Sequence, residues 1–430
     1  MTRKMKDSGI EWIGEIPEDW EISKFKNSSN LYVGDSIKDN EKDNYLDKDD
    51  AKAYVATKDL IIDENMVDFS NTLYVKNDNL KFKKAPKGSS LICIEGGSAG
   101  RKKAFLDRDV CFVNKLCCIN PLNSMDKKYM FYLISNQAFE QEFDKYIQGL
   151  IGGVSINKLS NFNIPLPTLK EQHKISSFLD NEVNKINISI GYIYEQIENL
   201  KNYKKSAITE AVTKGLDKNV EMKDSGIEWI GEIPKHWEVV KGKYILNLLK
   251  RLVRDTDEVI TCFRDGEVTL RSNRREDGFT FSDKEIGYQG INAGDLVVHG
   301  MDGFAGAIGI SDSRGKGSPV LNVIDSSENK KYLMYYLRIM AYSDVFTALA
   351  TGIRVRSVDL RWNKLANLFY PLPRNNEQND IVDYLDKKTK LIDDSIAIKQ
   401  KQLETLEEYK KSLIYEYVTG KKEVKDGEET

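Results

Sequence analysis

Two arginine groups carry the side chains best suited to reading a polyanion. Arg354-Val355-Arg356-Ser357 follows Thr351-Gly352 in a loop-like stretch, and because side chains alternate along an extended backbone, its two guanidinium groups fall on one side. A guanidinium fork fits the O6 and N7 edge of guanine, whereas a lysine acts mainly as a point charge. Arg271, Arg274 and Arg275 form the second group. Earlier in the chain come Lys83 and Lys84 and then Arg101-Lys102-Lys103, and before position 240 the only arginines are Arg3, Arg101 and Arg108. These are the candidate DNA contacts: guanine readers among the later arginines, a phosphate contact at Lys102. The bland alternative is that each charge run is a solvated face.

Catalytic chemistry finds no such foothold. Glu95-Gly96-Gly97-Ser98-Ala99-Gly100-Arg101 and Gly300-Met301-Asp302-Gly303-Phe304-Ala305-Gly306 are glycine-rich, yet neither fits a Walker or dinucleotide pattern, and both lie between strand-like runs, which predicts hairpins. Gly315-Lys316-Gly317 lacks the Ser or Thr that should follow a Walker lysine. No H-E-x-x-H or Asn-Pro-Pro-aromatic tetrapeptide is present. The five cysteines, with Cys117-Cys118 adjacent, have no zinc spacing, and three scattered histidines suggest no metal cluster. We therefore expect no catalytic residue and no metal site.

What must position the basic residues is a chain built twice. Met5 to Glu21 reads MKDSGIEWIGEIPEDWE and returns 217 positions on (222 − 5) as MKDSGIEWIGEIPKHWE. Its Ile10, Trp12, Ile13, Ile16 and Trp20 form an apolar anchoring strip, for which packing is favoured over a base-stacking platform. Pro165-Leu166-Pro167, followed by Glu171-Gln172, returns 206 positions on (371 − 165) as Pro371-Leu372-Pro373 with Glu377-Gln378. Each opens a helix signal with seam residues alternately four and three apart: Ile186, Ile190, Ile193, Ile197 and Leu200 in the first, and Ile392, Ile396, Lys399, Leu403 and Leu406 in the second. That spacing is a coiled-coil seam. At 1.5 Å per residue, roughly 40 residues make a rod on the order of 60 Å. The two rods should pair antiparallel, Ile186, Ile190 and Ile197 against Ile392, Ile396 and Leu403. Lys399 and Thr389 stand where the first seam has Ile193 and Val183.

Between strip and rod lies a globule of mixed strand and helix character, repeated in order but not in letters. Gly294-Asp295-Leu296-Val297-Val298 answers Gly88-Ser89-Ser90-Leu91-Ile92, Leu321-Asn322 answers Val113-Asn114, and Tyr332 to Leu337 answers Tyr129 to Leu133. The expected organisation is α+β: residues 1–164 as a first domain with its strip, 165–217 as the first long helix, 218–370 as a second domain, and 371–430 as the second long helix with a polar tail. A formal charge of −3 gives no global sign of nucleic-acid binding. No apolar run approaches the ~20 residues that span a bilayer, and the N-terminus leads into no signal-peptide core, so a cytoplasmic protein without a membrane partner is expected.

The Ile-Gly-x-Ile-Pro-x-x-Trp strips, the Pro-Leu-Pro…Glu-Gln helix openings and the doubled layout closely resemble the specificity subunit of type I restriction-modification systems. The resemblance covers nearly the whole chain. It implies two target-recognition domains, each reading one half of a split site on double-stranded DNA, separated by the antiparallel helices. It further implies two modification (methyltransferase) subunits docked on the repeats and restriction/translocase subunits joining for cleavage. S-adenosylmethionine, ATP and magnesium would then belong to those partners, with no cofactor on this chain. Two rivals are a stand-alone methyltransferase or nuclease, against which the missing cofactor motif weighs, and a coiled-coil scaffold with protein-binding or lectin-like globules.

Overall fold

The computed structural model describes residues 3–62, 65–147, 152–274, 286–343, 345–348 and 360–425. The helix signals become two continuous helices, Leu169–Lys214 and Asn375–Val418. They begin a few residues after the prolines. Pro165 and Pro371 sit instead in the strands Asn163–Leu166 and Phe369–Leu372, which pair antiparallel with Glu21–Lys24 and Glu238–Lys241. Proline cannot donate to a ladder, so it suits these two-stranded edges and stops the strand just before the helix. Thr168 caps the first helix, its hydroxyl accepting the Glu171 N–H at 3.3 Å.

The chain divides into two compact units, one of residues 1–193 and 401–430, the other of 194–400. This differs from the expected division, in which each long helix stood apart: each unit takes the start of one helix and the end of the other. In the first unit Ile186 shares a core with Leu413, Ile414 and Tyr417, with Ile190 and Leu406 packed against it. In the second, Ile208, Ala211 and Val212 share a core with Ile381, Val382 and Leu385. Within each unit the two segments therefore meet antiparallel. The register differs from the one expected for Ile186 and Ile190. Lys410 bonds Asn187 at 3.1 Å in the first unit and Lys204 bonds Asp393 at 2.8 Å in the second. That sets Ile186 and Ile190 beside the Leu406 to Tyr417 turns, further along the second helix than the Ile392 to Leu403 stripe expected. Ile186, Ile197, Ile392 and Leu403 are buried; Ile190, Leu200, Ile396 and Leu406 are half-buried. Thr389 is buried and folds its hydroxyl back onto the Leu385 carbonyl at 2.7 Å, so its polarity is satisfied within its own helix.

The globules share a four-stranded antiparallel sheet. In the first unit the order is Lys103–Phe105, Ser90–Cys93, Leu116–Pro121, Ser29–Val33; in the second it is Ile308–Ile310, Leu296–His299, Leu321–Ser326, Leu246–Leu248. Cys93 faces Leu116 and His299 faces Leu321. Leu321 thus corresponds to Leu116, three residues beyond the Val113 matched from sequence. Both glycine-rich stretches are hairpin tips, joining Ser90–Cys93 to Lys103–Phe105 and Leu296–His299 to Ile308–Ile310. Gly315–Gly317 is a strand paired with Gln289–Ile291.

Beyond that sheet the units diverge. The first builds a second sheet ordered Leu73–Lys76, Ala51–Val55, Val110–Phe112, Lys84–Ala85, with a parallel central pair. The second has two separate strand pairs, Ile260–Cys262 with Val268–Leu270 and Gln289–Ile291 with Gly315–Gly317. No helix among the described residues is long and apolar enough to cross a membrane.

Candidate nucleic-acid interface

The repeated motifs prove to be joinery. Trp20 is buried and its indole N–H donates to Glu171 at 2.9 Å; Trp237 donates to Glu377 at 2.9 Å. Arg3 completes the first joint through Glu171 at 2.6 Å, and the His236 ring pairs with Glu377 at 2.9 Å in the second. Gln172 and Gln378 are fully buried. Gln172 accepts the Asp126 N–H at 2.7 Å and donates to the Pro167 carbonyl at 2.9 Å. Gln378 accepts the Asn329 N–H at 2.9 Å and donates to the Pro373 carbonyl at 3.0 Å and to Glu328 at 2.6 Å. Each Trp also covers the glycine ending the opposite long helix. Gly420 (φ +73°) lies under Trp20 and Pro17, and Gly215 (φ +75°) under Trp237 and Pro234. A left-handed residue there closes a helix C-terminus without a side-chain clash. Besides the change of Glu18-Asp19 to Lys235-His236, the strips differ in packing: Trp12 packs edge-on to Phe139 at 6.0 Å, whereas Trp229 is 37 % exposed.

A second pair of ties fixes each globule to its helices. Tyr129 donates to the Val418 carbonyl at 2.9 Å and Tyr332 to the Val212 carbonyl at 3.1 Å. Asp180 receives Tyr132 at 2.6 Å, and Asp386 receives Tyr335 at 2.7 Å. The tyrosine-rich helices recognised in sequence are thus the seats by which the globules are held.

The candidate DNA contacts separate into distinct groups. Lys83 and Lys84 are exposed, with ammonium groups on the carbonyls of Val33 and Asn77, both at 3.1 Å. Arg101 is exposed at the first hairpin tip, and Lys102 is half-buried with its ammonium on the Thr57 carbonyl at 2.9 Å. Lys103 is corrected outright. It is 1 % exposed and bonds Glu140 and the Ile134 carbonyl at 3.1 Å, tying the sheet to the helix Gln137–Lys145. Burial pushes its pKa down against the opposing pull of Glu140, and a side chain so enclosed cannot reach DNA. Arg271 is half-buried with Nε on Thr261 at 3.3 Å. Arg274 is neutralised by Asp265 and Glu267 at 2.8 and 3.1 Å and lies over the Phe263 ring at 4.2 Å. Arg275, Arg354 and Arg356 lie outside the described residues.

Two further arginines missed from sequence are structural. Arg314 forks onto Asp257 at 2.9 and 2.8 Å and reaches Asn292 at 2.6 Å, while Arg251 pairs with the buried Asp295. Arg314 holds the Asp257 carboxyl down at about 2. Among the described residues no group of three or more His, Cys, Asp or Glu side chains could hold a metal ion, and all five cysteines are free and buried.

Comparison with known proteins agrees with this architecture. Residues 17–199 match the type I restriction modification DNA specificity domain. The putative type I restriction enzyme MjaX specificity subunit of Methanocaldococcus jannaschii is 26 % identical over 436 residues, covering 96 % of each chain. The MjaVIII specificity subunit of the same organism is 27 % identical over 443 residues, covering 96 % of this chain and 95 % of that protein. Among solved structures, a chain described for complex assembly and conformational transition of the type I R-M system shares the fold at a TM-score of 0.69 and 13 % identity, over 94 % of this chain and 98 % of that one. The HsdS subunit from Thermoanaerobacter tengcongensis does so at 0.51 and 14 % identity, again over 94 % and 98 %. The twice-built scaffold and these likenesses point one way: residues 17–199 match the type I specificity domain, and the chain is similar over nearly its whole length to specificity subunits of type I restriction-modification systems.

Proposed function

We propose that the chain is a non-catalytic DNA sequence-recognition subunit that reads an asymmetric, bipartite site and directs partner methyltransferase and restriction subunits to it. The observation that carries this reading is divergence on a constant frame. The strip, the four-stranded sheet, the Trp–Glu and buried Gln joints and the Tyr ties occur twice with matching geometry, whereas the remaining strands and the hairpin tips differ between the units. Two equal holders with unequal faces suit a site whose halves differ, since half-site geometry mirrors protein geometry. S-adenosylmethionine, ATP and magnesium belong to the partner subunits, two of them modification subunits, and none to this chain.

The experiment is methylome sequencing of the host with and without this chain. A single asymmetric split motif should lose its methylation when the chain is removed and regain it on complementation. An unchanged methylome would refute the recognition role. Binding of S-adenosylmethionine by the isolated chain would instead favour a self-sufficient methyltransferase.

A further inference from the structure

In the second unit the hairpin tip after Leu296–His299 is unusually well fixed for a surface loop. The His299 N–H bonds the Ala307 carbonyl at 3.0 Å and the Gly300 N–H bonds the Val320 carbonyl at 2.8 Å, while the Gly300 carbonyl accepts the Leu360 N–H at 2.8 Å. The buried Asn322 amide clamps the carbonyls of Val298 and Leu360 at 3.2 and 3.0 Å. The tip's own backbone then closes on the histidine ring: Nδ1 accepts the N–H of Asp302 at 2.9 Å and of Met301 at 3.3 Å. An Nδ1 lone pair used in this way leaves the proton of the neutral imidazole on Nε2, which makes the outer nitrogen a donor. Burial, opposed by Asp302 and assisted by Arg264, pushes the pKa of the ring down, which keeps it neutral. Nε2 has no hydrogen-bond partner among the described residues, and 19 % of the side chain stays exposed.

We propose that His299 is a specificity-determining residue that reads one base of the second half-site by donating from Nε2 to a base-edge acceptor. The inference rests on the recognition role proposed above. Around the tip stand exposed Met301 and the largely exposed Arg264 guanidinium, paired with Asp302 at 2.9 Å. A fixed donor beside a cationic and an apolar group suits a DNA groove, where guanine O6 and N7, adenine N7 and thymine O4 accept and the thymine methyl is apolar. The first unit has the same strand in the same register but places Cys93 where the second has His299, and its tip carries Gly96, Gly97, Ser98 and Ala99. Equal scaffolds with unlike tips are what unlike half-sites require. Among the described residues the other candidate arginines are less available: Arg274 is held by two carboxylates and Arg271 is only half-exposed.

The test uses the chain assembled with its modification subunits, on DNA carrying the motif found by methylome sequencing. Each base pair of the second half-site is replaced in turn, 7-deazapurines included, and binding is measured for the parent, His299→Ala and His299→Gln. At one position, removing the acceptor should weaken the parent about tenfold and the alanine variant less than about twofold. His299→Gln, which keeps an N–H donor, should recover part of the discrimination, and preference within the first half-site should stay unchanged. The scan of the parent needs no variant to fold. A parent that discriminates among second half-sites while no position couples to His299 would overturn this reading alone. A parent without any sequence preference would overturn the recognition role and this reading with it.

Discussion

Replacing Gln378 by Met tests the joinery, because Met keeps the volume of the buried side chain and removes only its hydrogen bonds. The Pro373 carbonyl loses a buried donor and the Asn329 N–H loses its acceptor, while Glu328 can turn toward water. An unmade buried bond costs about 1–3 kcal/mol and a part-exposed one about 0.5–1.5 kcal/mol, so the loss should total about 2–4 kcal/mol. A chain of two units need not unfold in one step, so a global melting curve would blur the effect. Hydrogen exchange read by mass spectrometry resolves it. Peptides from the helix Lys330–Tyr342, whose N-cap is Asn329, should exchange roughly 30- to 1,000-fold faster where exchange follows opening of the second unit, with peptides of residues 25–135 unchanged. Gln172→Met should give the mirror result in the first unit, since Gln172 makes the corresponding bonds to Asp126 and Pro167. A change below about 0.5 kcal/mol for both would refute the reasoning, showing that these glutamines do not hold the corner.

Lys103→Met should leave the salt dependence of DNA binding by the assembled complex unchanged, because a buried lysine releases no counterion from DNA; a slope reduced by about one would return Lys103 to the interface. Acid should loosen the second unit through Asp257. Its folded pKa lies below the ordinary carboxylate value, so the stability it lends is present above roughly pH 4 and lost as pH falls through about 2. Asp257→Asn should remove that part of the acid-unfolding profile, and a profile identical to the parent's would contradict the assignment.

Much of this architecture was legible in the sequence because repetition exposes what packing demands. The two strips and the two Pro-Leu-Pro…Glu-Gln corners repeat because Trp20 and Trp237 must each meet a glutamate and a helix-ending glycine. The four-three seam gave the helices, since burial on one face leaves that period regardless of partner. Register was less legible: an apolar stripe fits several turns of its neighbour, and polar pairs such as Lys410 with Asn187 choose among them. The role of the buried glutamines was hidden because their partners are backbone groups far along the chain. Lys103 misled for a related reason. Its counterion, Glu140, lies 37 residues on, so a buried ion pair looked like part of a basic run. His299 gave no signal beyond its scarcity, because the feature that marks it is the loop backbone folding onto its ring.

The central claim, that one frame carries two independent readers, is tested most directly by exchanging residues 25–162 for the corresponding segment of another specificity subunit and sequencing the methylome of cells carrying the hybrid. One half of the methylated motif should change while the other half keeps its sequence. A motif altered in both halves, from a hybrid that still directs methylation, would contradict it.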